Sequence, residues 1–171
     1  EYGNDLISKF NNAFKCNIFK KINPILSTSS RLVGVDGKNK MSKSLGNVIS
    51  LNATNEEINK QVKSMYTDPN HIKVTDPGKV EGNVVFSYLD IFHFDKEEVE
   101  ALKEHYRRGG LGDMYLKKML INDLENLISP IREKYNSFSD KELLERLNSD
   151  TEEAFIEAKN NMKKIKSFIF K

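Results

Sequence analysis

G-K-N-K-M-S-K-S-L-G-N, from Gly37 to Asn47, is the stretch on which the reading of this chain turns. It sets Lys38, Lys40 and Lys43 and the hydroxyls of Ser42 and Ser44 close to two glycines, Gly37 and Gly46, with Met41 in the middle. Lysine ammonium groups are compact charges on flexible stems, suited to neutralising a polyphosphate. Glycines at 34, 37 and 46 let the backbone swing and approach a ligand, and Ser42 and Ser44 can donate to phosphate oxygens. A mobile loop of this kind can close over a nucleotide and add its charge only at the transition state, which raises rate instead of merely tightening binding. A solvated Lys/Ser turn is the ordinary alternative for such a composition, so the flanking sequence has to decide.

Upstream, Arg31 to Val35 reads as a short buried strand that leads into the loop. Downstream, Asn52 or Thr54 can cap a helix with Glu56 and Glu57 in its first turn and Ile58, Val62 and Met65 as its apolar stripe. A helix over Asn4 to Lys15 is predicted from Leu6, Ile7, Phe10, Ala13 and Phe14, and Pro24 and the Ser27–Ser30 cluster break it. Asp68-Pro69-Asn70 and Asp76-Pro77-Gly78 are turn signals, so residues 68 to 83 read as a connector.

Beyond the connector the spacing is helical over Val84 to His93, Lys96 to Arg108, Asp113 to Asn136, Asp140 to Asn148 and Thr151 to Phe170. Asp95 caps the second of these helices, Gly109-Gly110 provides its left-handed exit, and Pro130 should end or kink the third near Ser129. Phe86, Tyr88, Leu89 and Phe92 are read as core and not as a base-stacking platform. The organisation expected is an α/β piece over residues 1–75 and a helical bundle over 76–171.

A chain of 171 residues with 38% hydrophobic content can bury a real core, and a net charge of +2 confines any basic site to a local patch. A lone cysteine, Cys16, makes no internal disulfide, which points to a reducing compartment and the cytoplasm. No apolar run approaches the roughly 20 residues of a membrane span, so no membrane partner is expected. The opening E-Y-G-N-D lacks an initiating methionine and already reads as mid-helix, an expectation that residues precede it.

K-M-S-K-S at Lys40 to Ser44, with a strand before and a helix after, resembles the second signature of the class I aminoacyl-tRNA synthetases. The segments R-L-V-G-V-D-G from Arg31, K-M-S-K-S-L-G-N, S-M-Y-T-D-P-N from Ser64 and T-D-P-G-K-V-E-G-N-V-V-F from Thr75 are similar in order and spacing to the bacterial tryptophanyl-tRNA synthetases. The resemblance covers nearly the whole chain. It implies a mostly α fold, in which the C-terminal part of a Rossmann-like catalytic domain is followed by a helical anticodon-binding domain. It implies a ligase that activates tryptophan with ATP and Mg2+ and transfers it to tRNA(Trp), working as a homodimer when full length.

On the matching positions, Lys40 and Lys43 are implied to contact the ATP phosphates and stabilise the departing pyrophosphate. Met41, Ser42 and Ser44 are implied to lie against the nucleotide, and Leu32 to hold the adenine through its main chain. The family's first signature, H-I-G-H or a variant, has no match in these residues, so the chain alone is expected to form no adenylate but to retain anticodon binding. A tyrosyl-type ligase and a non-enzymatic RNA-binding helical module are the alternatives.

Relatives that carry a metal cluster place cysteines where Leu111 to Lys118 stand here, and the implication is that no protein-bound zinc or iron site is present. His71, His93 and His105 have no ligand spacing and no catalytic partners, and receive no role. Arg107, Arg108, Lys117, Lys118, Arg132, Lys134, Lys159, Lys163, Lys164 and Lys166 are read as a group that could follow RNA phosphates, although the residues contacting the anticodon are not identifiable.

Overall fold

The computed structural model describes residues 1–27, 29 and 32–170. Among these, six α-helices form: α1 (Tyr2–Ala13), α2 (Asn55–Lys63), α3 (Val84–Phe92), α4 (Lys96–Arg108), α5 (Asp113–Asn136) and α6 (Asp140–Ile169). They fall into two compact units, one of Ser27–Ser137 and one of Glu1–Leu26 with Phe138–Lys171.

The Ser27–Ser137 unit is built on local signals that agree with its packing. Thr54 and Glu57 form a reciprocal capping box at the start of α2, and Ile58, Val62 and Met65 are all buried. Asn83 caps α3 through Val85 N–H, and Asp95 caps α4 through the N–H groups of Glu97 and Glu98. α5 packs on α2 and α3, and α3 also packs on α4. Val35, Ala53 and Met65 share one core with Val84, Phe86, Tyr88, Leu116 and Leu124, so residue 75 lies inside this unit.

The connector is built into the same body. Asp68 accepts from the N–H groups of Asn70 and Lys79, Gly78 N–H donates to Tyr106 C=O, and His71 Nε2 lies 3.0 Å from Leu111 C=O. Lys117 is buried and donates to Lys63 C=O at 2.8 Å and Met65 C=O at 2.9 Å, so α5 caps the C-terminal end of α2. Burial pushes the Lys117 ammonium down, and Asp113 opposes that shift.

In the other unit, Asn4 and Asn11 of α1 each bond both backbone groups of a returning segment. Asn4 pairs with Ile22 at 2.8 and 2.9 Å, and Asn11 pairs with Phe19 at 2.8 and 3.4 Å. Phe10 packs at a tilt on Phe14 and edge-on with Phe19. α6 opens with a Ser139–Glu142 capping box.

Over its described residues, 32–35, the expected strand does not form. Its first residue, Arg31, and Thr28 and Ser30 of the expected break lie outside the described residues, as does Lys171. Among the others, the segment makes one isolated antiparallel bridge, Val33 to Lys40, because a strand exists only through a partner and no other strand lies alongside.

α1 stops at Ala13, before the breaking residues, and Lys15 takes a positive φ of 48°. α5 runs through Pro130 to Asn136, the turns before the proline held against the core by buried Leu124 and Ile128. The two helices expected after Asp140 are one: no Gly or Pro interrupts them, and Arg146 to Asp150 at 2.9 Å ties one turn to the next across the expected break. Gly109 and Gly110 both take positive φ, although Gly109 has ψ of 160° and not the left-handed helical value.

His93, which closes α3, lies 2.9 Å from Asp123 of α5 and 3.3 Å from Glu98 of α4. Burial alone would push the imidazole down; Asp123 and then Glu98 more than offset that and hold it above its ordinary value. A raised folded-state value means a contribution present below the unfolded pKa of about 6.5 and lost as pH rises through the folded value. Urea midpoints of the parent and His93→Gln should therefore differ most below about pH 6.5 and converge as pH rises through the folded-state value.

Candidate functional site

The lysine loop lies wholly within the Ser27–Ser137 unit. Its base is fixed from several sides. Val35 N–H donates to Asn47 C=O at 3.1 Å, Tyr66 N–H to Val35 C=O at 3.2 Å, and Val84 N–H to Tyr66 C=O at 3.1 Å. This relay joins the end of the loop to its beginning, then to the segment after α2, then to the first turn of α3. Tyr88 Oη adds a 2.7 Å bond to Val33 C=O, and Met41 and Leu32 pack against the core. Burial, and after it the nearby Asp36 carboxylate, pushes the Tyr88 phenol well up, so it stays a donor at neutral pH.

Asp36 and Asn47 form the polar centre. Asp36 accepts from Lys38 N–H, Asn39 N–H and Asn39 Nδ2 at 3.3, 3.4 and 3.1 Å. The Asn39 amide, followed by Asn47 and the backbone N–H groups, holds the Asp36 carboxyl below its usual range. Asn47 is buried; its Oδ1 accepts from Ser42 N–H at 2.8 Å, and its Nδ2 donates to Asp36 Oδ1 at 3.2 Å and Lys40 C=O at 3.3 Å.

Two glycines at the base serve close approach and turn geometry. A Cβ on Gly34 would stand 2.2 Å from Asn47 Nδ2, and Gly37 takes φ of +69° with Val84 Cγ2 at 2.8 Å from where a Cβ would be. The tip is open: Ser42 and Ser44 hydroxyls lie 2.8 Å apart, and Lys43–Leu45 make a single 3₁₀ turn closed by Gly46. Lys40 and Lys43 are exposed, and among the described residues neither ammonium has a hydrogen-bond or ion-pair partner.

Leu32 and Val33 face an open cleft of about 480 Å³ bounded also by Ser87, Asp90, Ile91 and Lys96. Lys96 Nζ donates to the carbonyls of Asp90 and His93 at 2.6 and 2.7 Å, capping α3. The structure thus brings Leu32, Lys40, Met41, Ser42, Lys43 and Ser44 onto one continuous segment, with the two ammonium groups free at its surface.

Comparison with known proteins follows the same line. A family model described as "tRNA synthetases class I (W and Y)" matches residues 1–129. The chain belongs to this family. As a class I synthetase of the W and Y type, it is 41% identical over 98% of its length to the tryptophan–tRNA ligase of Streptococcus agalactiae, covering 51% of that protein. It is 47% identical over 81% of its length to the ligase of Clostridium longisporum, covering 41% of it. The chain spans about half the length of the curated relatives it matches. A crystal structure of tryptophanyl-tRNA synthetase from Campylobacter jejuni, complexed with ADP and tryptophan, superposes with a TM-score of 0.71 at 29% identity over 97% of this chain and 51% of that one.

Asp36 and Asn47 were not singled out in the sequence, although Asp36-Gly37 and Gly46-Asn47 are both turn dipeptides whose side chains bond nearby backbone. The basic group also changes. Lys117 is buried against α2, Arg132 donates to Ala53 C=O and to Asn55 Oδ1, and Arg107 pairs with Glu81 at 3.1 Å and Glu104 at 2.6 Å. These three have structural partners within the fold, while Arg108 and Lys118 are exposed. No helix among the described residues is long and apolar enough to cross a membrane, and none of their His, Cys, Asp and Glu side chains cluster in threes that could hold a metal ion.

Gly37→Ala should lower unfolding stability by about 1–2 kcal/mol, the cost of a left-handed non-glycine residue, with a further loss from the Val84 contact. Urea titration of the two proteins measures the difference.

Proposed function

We propose that this chain is the C-terminal part of a tryptophan–tRNA ligase, which joins tryptophan to ATP as an adenylate with loss of pyrophosphate and then passes the tryptophanyl group to tRNA(Trp). The observation that carries it is 41% identity over 98% of the chain to a ligase of that name. Lys40 and Lys43 neutralise the charge that grows on the departing diphosphate. Their value to rate comes from meeting charge that the transition state has and the ground state lacks. Exposed ammonium groups without partners among the described residues are free to do so, and the clasped base of the loop limits the entropy lost on engagement.

Ser42 and Ser44 donate to phosphate oxygens, the Met41 backbone lies beside the nucleotide, and Leu32 offers its main chain to the adenine. Mg2+ enters on the ATP phosphates, whose hard oxygens suit it. Asp36, the carboxylate nearest the lysines in sequence, is already engaged by Asn39, Asn47 and Lys38 N–H, which fits a metal held by substrate more than by protein. The helices beyond residue 75 bind the anticodon stem and loop, where phosphate contacts position and base contacts specify. The complete ligase works in the cytoplasm as a homodimer.

Pyrophosphate exchange by a ligase extended at its N-terminal side to the length of the relatives should depend on tryptophan and not on tyrosine. Lys40→Ala and Lys43→Ala should each lower its kcat by about 10²-fold or more, the scale seen when one transition-state charge partner is removed. Tyrosine-dependent exchange, or unchanged kcat in both variants, would overturn the reading. The 171-residue chain alone is expected to give no exchange and to bind tRNA in a salt-dependent manner.

A further inference from the structure

We propose that Asn47 is a positioning residue for adenylate formation, a buried amide that holds Lys40 and Lys43 where the leaving diphosphate develops; this rests on the assignment of those lysines above. Asn47 is 4% exposed at the edge of a loop whose tip is open to solvent. Every bond of its side chain goes to the lysine segment or to the turn that begins it. Oδ1 takes Ser42 N–H, between the two lysines and next to Lys43, while Nδ2 holds Lys40 C=O and Asp36 Oδ1. Its own C=O receives Val35 N–H, so one residue ties the start, the middle and the end of the loop together.

The opposite wall is shaped for this amide. Gly34 packs against it so closely that a methyl group there would overlap Nδ2 at 2.2 Å and Cγ at 2.5 Å. Gly34 N–H also donates to Asn39 C=O at 2.8 Å, which fixes that wall in place. A side chain that is donor and acceptor at once is required: an aspartate would turn Nδ2 into an acceptor facing two other acceptors, and a leucine would leave Ser42 N–H and Lys40 C=O without partners. The amide holds the carbonyl of Lys40 itself and the N–H of Ser42, the residue before Lys43, so loss of the clasp displaces both charges together.

Two measurements test this. In the 171-residue chain, trypsin should cut after Lys40 and Lys43 about tenfold faster or more in Asn47→Ala and in the isosteric Asn47→Asp, because cleavage follows the opening equilibrium of the loop. Gly34→Ala, which evicts the amide, should do the same, and combining it with Asn47→Ala should add little.

In the extended ligase, Asn47→Ala and Asn47→Asp should lower kcat of tryptophan-dependent pyrophosphate exchange by about 10²-fold while the KM for ATP changes by less than about threefold. Unchanged trypsin cleavage, or kcat within about threefold of the parent, overturns the role of Asn47. A large effect of Lys40→Ala and Lys43→Ala beside a small effect of Asn47→Asp rejects the clasp alone, whereas no effect of the lysine variants rejects the ligase reading itself.

Discussion

The backbone relay from Asn47 through Val35 and Tyr66 to Val84 is the constraint on which the unit of Ser27–Ser137 depends. Each donor and acceptor in it comes from a different stretch of chain: the end of the lysine loop, the segment that leads into that loop, the exit of α2 and the start of α3. An unpaired buried backbone group costs about 1–3 kcal/mol, so these few bonds largely decide whether the loop is anchored at all. Gly37, beside Val84, and Gly34, beside Asn47, are the places where a side chain would force the relay apart. The helices supply the apolar core, and the relay lets them hold a segment that has no regular structure of its own.

From this follows a division of labour within eleven residues. The base is buried and rich in hydrogen bonds; the tip carries two ammonium groups that have no partner among the described residues. Long cations that already have partners contribute little to a substrate, as Lys117, Arg132 and Arg107 illustrate by capping α2, bracing its N-terminal end and closing ion pairs. Lys40 and Lys43 differ from these three in lacking such ties. A charge held near its target but left unpaired is what electrostatic catalysis of diphosphate departure requires on the proposed reading.

Much of this was readable from the residues because local and tertiary signals agree. Thr54 with Glu57, Asp95 with Glu97 and Glu98, and the Ile58, Val62, Met65 stripe each state a helix in two independent ways, and α2 and α4 form where those signals lie. The failures have physical causes. The segment from Leu32 to Val35 has strand composition, but its backbone bonds go to Asn39, Asn47 and Tyr66 on separate stretches and not to one neighbouring strand, so among the described residues only the bridge of Val33 to Lys40 forms. Pro130 removes one donor, yet the turns just before it are anchored in the core by buried Leu124 and Ile128, and α5 continues past it. The break expected between Asn148 and Thr151 carries no Gly or Pro, Arg146 pairs with Asp150 across it, and α6 continues.

The K-M-S-K-S order exposed the family, while Asn47 stayed hidden because an asparagine after glycine is common in turns and only the fold shows its four partners.

Amide hydrogen exchange in the 171-residue chain tests most directly whether the lysine segment is part of the folded body. The account predicts that Val35, Ser42 and Tyr66 N–H exchange only when the whole Ser27–Ser137 unit opens, with the same denaturant dependence as Ile58 in α2 and Leu120 in α5. Exchange of Val35 and Ser42 at the rate of a free loop, while Ile58 and Leu120 remain protected, would contradict it.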